Sequence, residues 1–479
     1  MTANNKRIIW AILSLCLTST ALGHDALSSA TLDHDILTSA GLDQNTLMSM
    51  GLDQNTLMNT APDHNTPTVW WGKQIVTPNN SSVFGTMTVD SKDGIYLTVL
   101  RDSVNASNST SRCRYLVKFN QNGERVWDRP LEKNQAGDSH HLEVDGLAAD
   151  DCENVYVFGS TGCEKNGHDA FITKVDPAGT QLWTRRLGTP QNDSCNGVAI
   201  DADGNLYIAG STNGAFAKPN KGGVDFFIAA YNQAGALLWQ DQIGTDAKDR
   251  TVDLRIADNN DIYVCAQTSG SLARQNNSRE DFVVARYNRS GKRLWLCQYG
   301  SQAEETAVCM EIDEQGQVYV GGTTNGNLAS EESYRGQGDA FVAKIAATGE
   351  LLWKRQFGSG GCEKVWQMAL FQDRSGDILV GGSQYPSGKC QAFTRRYSSE
   401  GKLVWTQEFG EPKPKNGTFG RAVAIDSANN CYLAGHTGAD LFDVVNKGVQ
   451  NLFIVRFDDM VFEPHTGCDS DCGGDGMPF

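Results

Sequence analysis

The chain has 479 residues, 57 acidic against 41 basic side chains, and a formal net charge of −16. An acidic surface repels nucleic acid and anionic lipid, so neither is expected as the main partner. No apolar run reaches the ~20 residues of a spanning helix, so no integral membrane span is expected.

The N-terminus carries Lys6-Arg7, an apolar run over 8–22 and the small-residue site Ala21-Leu22-Gly23. This is the pattern of a cleaved signal peptide over 1–23, and it predicts an exported protein, periplasmic, cell-surface or extracellular. A lipid anchor on Cys16 is the rival reading, but Leu15 before it is larger than such sites take. Residues 24–68 form a low-complexity segment with Leu at 27, 32, 37, 42, 47, 52 and 57. A period of five fits neither helix nor strand, and the segment reads as a flexible linker rather than a folded coil.

From 69 to 462 one unit recurs. Trp71, Trp127, Trp183, Trp239, Trp295, Trp353 and Trp405 stand 56, 56, 56, 56, 58 and 52 residues apart. A constant period of this size means tandem copies, each burying its neighbour's apolar face. Within a copy, short β-branched and aromatic runs alternate with Gly, Asn and Asp clusters, as in Val198–Ser211 and Asp225–Gly244. That is the pattern of four short strands joined by turns. Seven units of four strands predict an all-β, seven-bladed propeller with antiparallel blades. Gly123, Gly179, Gly235, Gly291, Gly349 and Gly401 each precede a Trp by four residues. Each is expected at positive φ in the turn between strands c and d. Asp90, Asp150, Asp201, Asp313, Asp373 and Asp426 are expected to close strand a with an Asx turn rather than to bind metal. The first Trp segment, 69–75, lacks a strand c before it, and the last copy stops after strand c. The two defects are complementary. Strand 69–75 is therefore expected to be the outer strand of blade 7, closing the ring.

The residues Asp339-Ala-Phe-Val-Ala-Lys344, Gly349-Glu-Leu-Leu-Trp353, Asp201–Ser211 and Val320-Gly-Gly-Thr323 resemble the bacterial seven-bladed β-propeller (SBBP) repeat family. The resemblance spans about 69–462. It implies the propeller fold and an envelope or extracellular habit, and brings no common catalytic set.

Twelve of thirteen cysteines follow the leader. An oxidising compartment favours disulfides, with Cys152–Cys163 and Cys468–Cys472 as candidate pairs. The second pair lies in a Cys/Asp/Gly-rich tail, 463–479, read as structural rather than metal-binding.

Long b–c and d–a connections gather on one face of such a propeller, and variable loops on a rigid frame are where ligands sit. The candidate ligand-binding residues on that face are His140, His141, His168, Arg250, Arg335 and His436. No catalytic residue, metal or cofactor is assigned. The expected function is a non-catalytic scaffold that binds a protein or glycan partner through the loop face. The alternative is a propeller enzyme. One version is a quinoprotein-like dehydrogenase, suggested by Asp176–Trp183, which partly resembles that family's tryptophan-docking repeat. The other is a polysaccharide lyase or glycosidase.

Overall fold

The computed structural model describes residues 69–458 apart from 76–81, 105–109, 132–141, 164–166, 276–278, 330–333, 387–389, 414–416 and 443–450. The expected leader, linker, C-terminal tail, His140, His141 and the Cys468–Cys472 pair lie outside the described residues.

Twenty-eight strands, β1 (Val69–Ile75) to β28 (Asn451–Phe457), build seven four-stranded antiparallel sheets among the described residues. In six sheets the strands follow chain order from a to d. Their strands a are β2 (Ser82–Val89), β6 (Leu142–Ala149), β10 (Asp193–Ile200), β14 (Asp249–Ile256), β18 (Glu305–Ile312) and β22 (Lys364–Leu370). The seventh sheet contains β26 (Thr418–Ile425), β27 (Cys431–Thr437) and β28, with β1 paired antiparallel on the outside. Each strand a touches the strands a of both neighbouring blades, including β26 with β2, so the ring is closed. The molecule is a seven-bladed β-propeller, latched by its N-terminal strand as the sequence predicts.

The apolar pattern explains the layering. Strands b and c are buried on both faces, as in Asp339–Ile345, and the outer strand d is exposed at its start and buried only at its end, as in Leu351–Phe357. The cores lie between blades. One joins Phe84, Leu97 and Val117 of blade 1 to Ala434, Leu452 and Ile454 of blade 7. Burying one such large side chain contributes roughly 1.5–3 kcal/mol.

The periodic Trp and Gly belong to one device. Trp71 Nε1 donates to Gln121 O, Trp127 to Pro177 O, Trp239 to Arg289 O, Trp295 to Ala347 O and Trp353 to Ser399 O. Each acceptor lies in the c–d turn of the next blade. All six turn glycines have φ between 69° and 90°. At Gly291, moreover, an added Cβ would come within 2.5 Å of the Trp239 ring of the preceding blade. The glycine thus meets two demands: a left-handed turn and a neighbour's indole beneath it. β1 repeats the device, with Trp71 packed under Gly123.

The Asx turns form at Asp90, Asp150, Asp201, Asp313 and Asp426, where Oδ1 accepts the N–H two residues on. Blade 6 departs. Its turn is longer, Phe371 takes the strand-closing position, and Asp373 bonds Ser375 N inside the turn.

The cysteine expectation needs correction. Cys152 is a free thiol in the exposed a–b turn of blade 2. Cys163 ends strand b, Val155–Cys163, at the opposite face. Eight strand residues at ~3.3 Å each separate them, far beyond the roughly 4.4–6.8 Å that a disulfide spans. Cys195, Cys265, Cys309, Cys390 and Cys431 are also free and buried, and burial pushes their thiols up. They behave as small apolar fillers.

Candidate functional site

Every strand a carries a β-bulge at the same place, near its loop-face end. The unpaired residues are Asp145, Asn196, Val252, Val308, Trp366 and Arg421 in blades 2 to 7. Blade 1 has a wider bulge over Gly85 and Thr86. Bulge side chains of neighbouring blades meet around the axis. Asn196 Nδ2 lies 3.4 Å from Asp145 Oδ2, and the Arg421 guanidinium sits 4.2 Å over the Trp366 ring. A bulge re-aims one side chain without breaking the sheet. Here it builds a ring in which the repeat is abandoned: acidic and polar on blades 2 and 3, aliphatic on 4 and 5, aromatic and cationic on 6 and 7.

The acidic arc holds Asp145 beside Glu143. Asp145 is open to water yet crowded by the surrounding blades. Burial first, then Glu143, raises its carboxyl to about 7, against the opposing charge of Arg114. One step along strand a, Arg255 pairs with Asp253 at 2.5 Å and with Glu311 at 3.0 Å. That triad gives its one guanidinium two carboxylates, and burial together with Glu311 pushes the Asp253 carboxyl up to about 6 despite Arg255.

The aromatic arc is different. Arg421 has no hydrogen bond or ion pair among the described residues. It sits over Trp366 and, at 6.0 Å, over Phe419. Lys364 lies 5.6 Å over the same indole. Phe419 stacks on His436 with centroids 4.7 Å apart, and Tyr385 meets Phe419 edge-on at 6.2 Å. Trp366 Nε1 and His436 Nδ1 are buried without partners. In blades 4, 5 and 6 the residue aligned with His436 bonds a carbonyl of the next blade: Gln267 to Ala307, Thr323 to Glu363, Ser383 to Gly420. His436 keeps the place but leaves Nδ1 unpaired.

His436 is 4% exposed, and burial, helped by Arg421, lowers its pKa from 6.5 to about 4. The fold favours the neutral ring. Its contribution is complete above 6.5 and is lost as pH falls toward 4. His436→Gln is expected to remove on the order of 2–3 kcal/mol of acid sensitivity in that window, read from urea midpoints across pH.

The loops above the ring are held by a clamp that the sequence reading missed. In blade 3, Gln242 Oε1 accepts N–H groups from Phe216, Ala217 and Lys218, while Nε2 donates to Asp225 and Gly214 O. Gln298 with Asp281 and Gln356 with Asp339 repeat this in blades 4 and 5. The signal was present as Trp-x-x-Gln following an Asp at a fixed interval.

The sequence candidates are scattered. His168 is exposed on the strand Gly167–Val175 of blade 2, its N–H on Asn192 Oδ1. Arg250 lies not in a loop but on β14, exposed near the loop-face end. Arg335 is exposed in the b–c loop of blade 5, its N–H on Asp339. His436 is inside β27 and buried, not solvated. These four occupy four blades, and only His436 belongs to the aromatic arc. Trp366 and Arg421 were overlooked. Trp366 stands out of phase with the seven periodic tryptophans, and that was the available signal. Among the described residues no three His, Cys, Asp or Glu side chains group as metal ligands would. No described helix is long and apolar enough to cross a membrane.

The closed ring of four-stranded blades defines a seven-bladed β-propeller. The SBBP β-propeller repeat matches residues 182–217 and 404–443, so the chain carries the repeat its sequence resembles. A regulatory protein of Caulobacter vibrioides, FlaEY, is 25% identical over 205 residues, 38% of this chain and 20% of that protein. An uncharacterised WD-repeat protein of Acanthamoeba polyphaga mimivirus is 24% identical over 188 residues, 32% of this chain and 14% of that one. The chain thus matches a fifth or less of the length of these relatives. Among solved structures, a Staphylococcus aureus virginiamycin B lyase superposes over 80% of this chain and 98% of its own, at 11% identity and TM-score 0.45. A polysaccharide lyase covers 83% and 95%, at 11% and 0.45. A Bacteroides caccae protein of unknown function covers 61% and 89%, at 15% and 0.38. Likenesses at this level say nothing about what this chain binds.

Proposed function

We propose that the protein is an exported, non-catalytic binding propeller that holds a protein or glycan partner at its loop face, over the ring of bulge residues. One observation carries this reading. The frame repeats from blade to blade, while one structural position carries Asp145, Asn196, Val252, Val308, Trp366 and Arg421, alike only in blades 4 and 5. A scaffold that only built itself would have no need of five different residue types there. The leader-like N-terminus supports export. The test is capture of partners from envelope extracts and glycan panels, repeated with Asn196→Ala, Val308→Ala and Trp366→Leu. Binding is expected to fall at least tenfold for one or more ring variants, with substitutions on strand d without effect. Unchanged binding in all three would refute the reading.

A second reading is an enzyme. It is favoured by Asp145, whose carboxyl titrates about 7, where a general acid–base group works best. Turnover of any substrate that Asp145→Asn abolishes would establish it. The quinoprotein version would appear as an absorbance change on reconstitution with quinone and Ca²⁺.

A further inference from the structure

We propose that the aromatic arc on blades 6 and 7 is a subsite for a single acidic sugar, its carboxylate held by Arg421. The inference deepens the binding reading above and rests on it.

Three observations point the same way. First, Arg421 is a half-buried guanidinium with five donors and no acceptor among the described residues. Burial lowers its pKa, so the fold holds this charge at a cost with no carboxylate to compensate. Several other half-buried arginines are paired with carboxylates, Arg101 with Asp128, Arg255 with Glu311 and Arg286 with Asp261, whereas Arg185 and Arg395, like Arg421, meet only aromatic rings among the described residues. Of these three, Arg421 is the one in the ring of strand-a bulges near the loop face, where a ligand can reach it. A guanidinium fork accepts a carboxylate through two parallel bonds.

Second, the cation is framed by half-buried rings. Trp366, Phe419 and Tyr385 all keep part of their surface open. A sugar offers flat C–H faces to such rings and hydroxyls to nearby donors. An acidic peptide offers the carboxylate without the faces. Lys364, exposed beside Trp366, supplies a second donor.

Third, the charge of the whole chain limits the ligand. At −16 the protein repels a polyanion at long range, so a dense polyanion is disfavoured. A glycan carrying isolated uronic acids among neutral sugars avoids that repulsion and still reaches Arg421. The neutral His436 lets Phe419 stack without adding charge.

The experiment titrates the full chain with oligosaccharides bearing one glucuronic or galacturonic acid among neutral sugars. Matched ligands have the acid reduced to the alcohol, and an acidic peptide and heparin serve as further probes. Wild type is expected to prefer the uronate over its reduced form by at least tenfold. Arg421→Gln is expected to lose roughly ten- to a hundredfold in affinity for the uronate and little for the reduced ligand. Arg421→Lys is expected to fall between. An unchanged thermal midpoint for Arg421→Gln excludes misfolding, and Lys364→Gln, on an exposed side chain, gives a second test that does not threaten the fold. Equal affinity for acid and alcohol overturns the proposal while leaving the loop face a binding surface. Preference for heparin or for the acidic peptide also overturns it. Loss of every ring effect, with ligand bound elsewhere, overturns the binding reading as well.

Discussion

A chain lacking residues 1–76 is expected to lose cooperative folding and to aggregate. β1 pairs with β28 from Val69 opposite Phe457 to Ile75 opposite Leu452, with one bulge. Its removal strips a row of backbone bonds worth about 0.5–1.5 kcal/mol each. Trp71 also leaves, with its bond to Gln121 O at 3.1 Å and its packing on Tyr432. Lys73, which donates to Gly123 O at 2.7 Å, goes with it. Together these are on the order of 5 kcal/mol or more, comparable to the whole margin of a typical domain. The loss also breaks the joint between blades 7 and 1 and bares the edge of β28, a template for other chains. Light scattering and urea unfolding of the truncated chain check this. A synthetic peptide of residues 67–77, added in trans, is expected to restore the monomer and a single sharp transition. A truncated chain that stays monomeric with its midpoint unchanged would show that the latch is dispensable.

The contrast between what the sequence disclosed and what it hid has a physical basis. Repetition discloses a frame. A Trp, its Gly and an Asp must recur because each blade makes the same joint with the next, so seven noisy copies reinforce one signal. The incomplete first and last copies were legible for the same reason: a missing strand in one names its substitute in the other. The site is hidden because it is where repetition stops. Trp366 and Arg421 each occupy a bulge, and in strands this short one inserted residue is hard to tell from ordinary variation; only Trp366, out of phase with the periodic tryptophans, left a mark. Whether a residue lies in a strand or a loop was also a matter of one or two positions. Strand b extends to Thr437, and so His436 is sealed between blades instead of solvated. Strand a begins at Asp249, which takes Arg250 out of the loop. Disulfide pairing failed on length, because flanking a strand in sequence means standing at opposite faces of the propeller.

Gln356→Leu is expected to cost about 3–6 kcal/mol, the largest effect of any single substitution considered. Gln356 is fully buried. Its Oε1 accepts Leu328 N at 2.8 Å and Ala329 N at 3.2 Å; its Nε2 donates to Gly326 O at 3.0 Å and Asp339 Oδ2 at 2.8 Å. Leucine fills the space but orphans two N–H groups and takes one donor each from Gly326 O, which keeps the Thr324 hydroxyl, and from the 1% exposed Asp339, which keeps the Arg335 N–H. Each orphan costs roughly 1–3 kcal/mol, less whatever water reaches as the loop relaxes. The loss concentrates in the b–c loop of blade 5, so faster proteolysis there is expected at concentrations of urea that leave the ring folded. Gln356→Glu separates charge from shape. It places a second carboxylate against Asp339, and the pair can hold only one negative charge comfortably. The folded-state pKa of the pair rises, so this variant is expected to be most stable at acid pH and to weaken as pH rises toward neutral. Gln240→Leu, at an exposed outer position, is expected to change stability by no more than about 0.5 kcal/mol. Equal urea midpoints for Gln356→Leu and Gln240→Leu would mean that the clamp contributes nothing to holding the loop face.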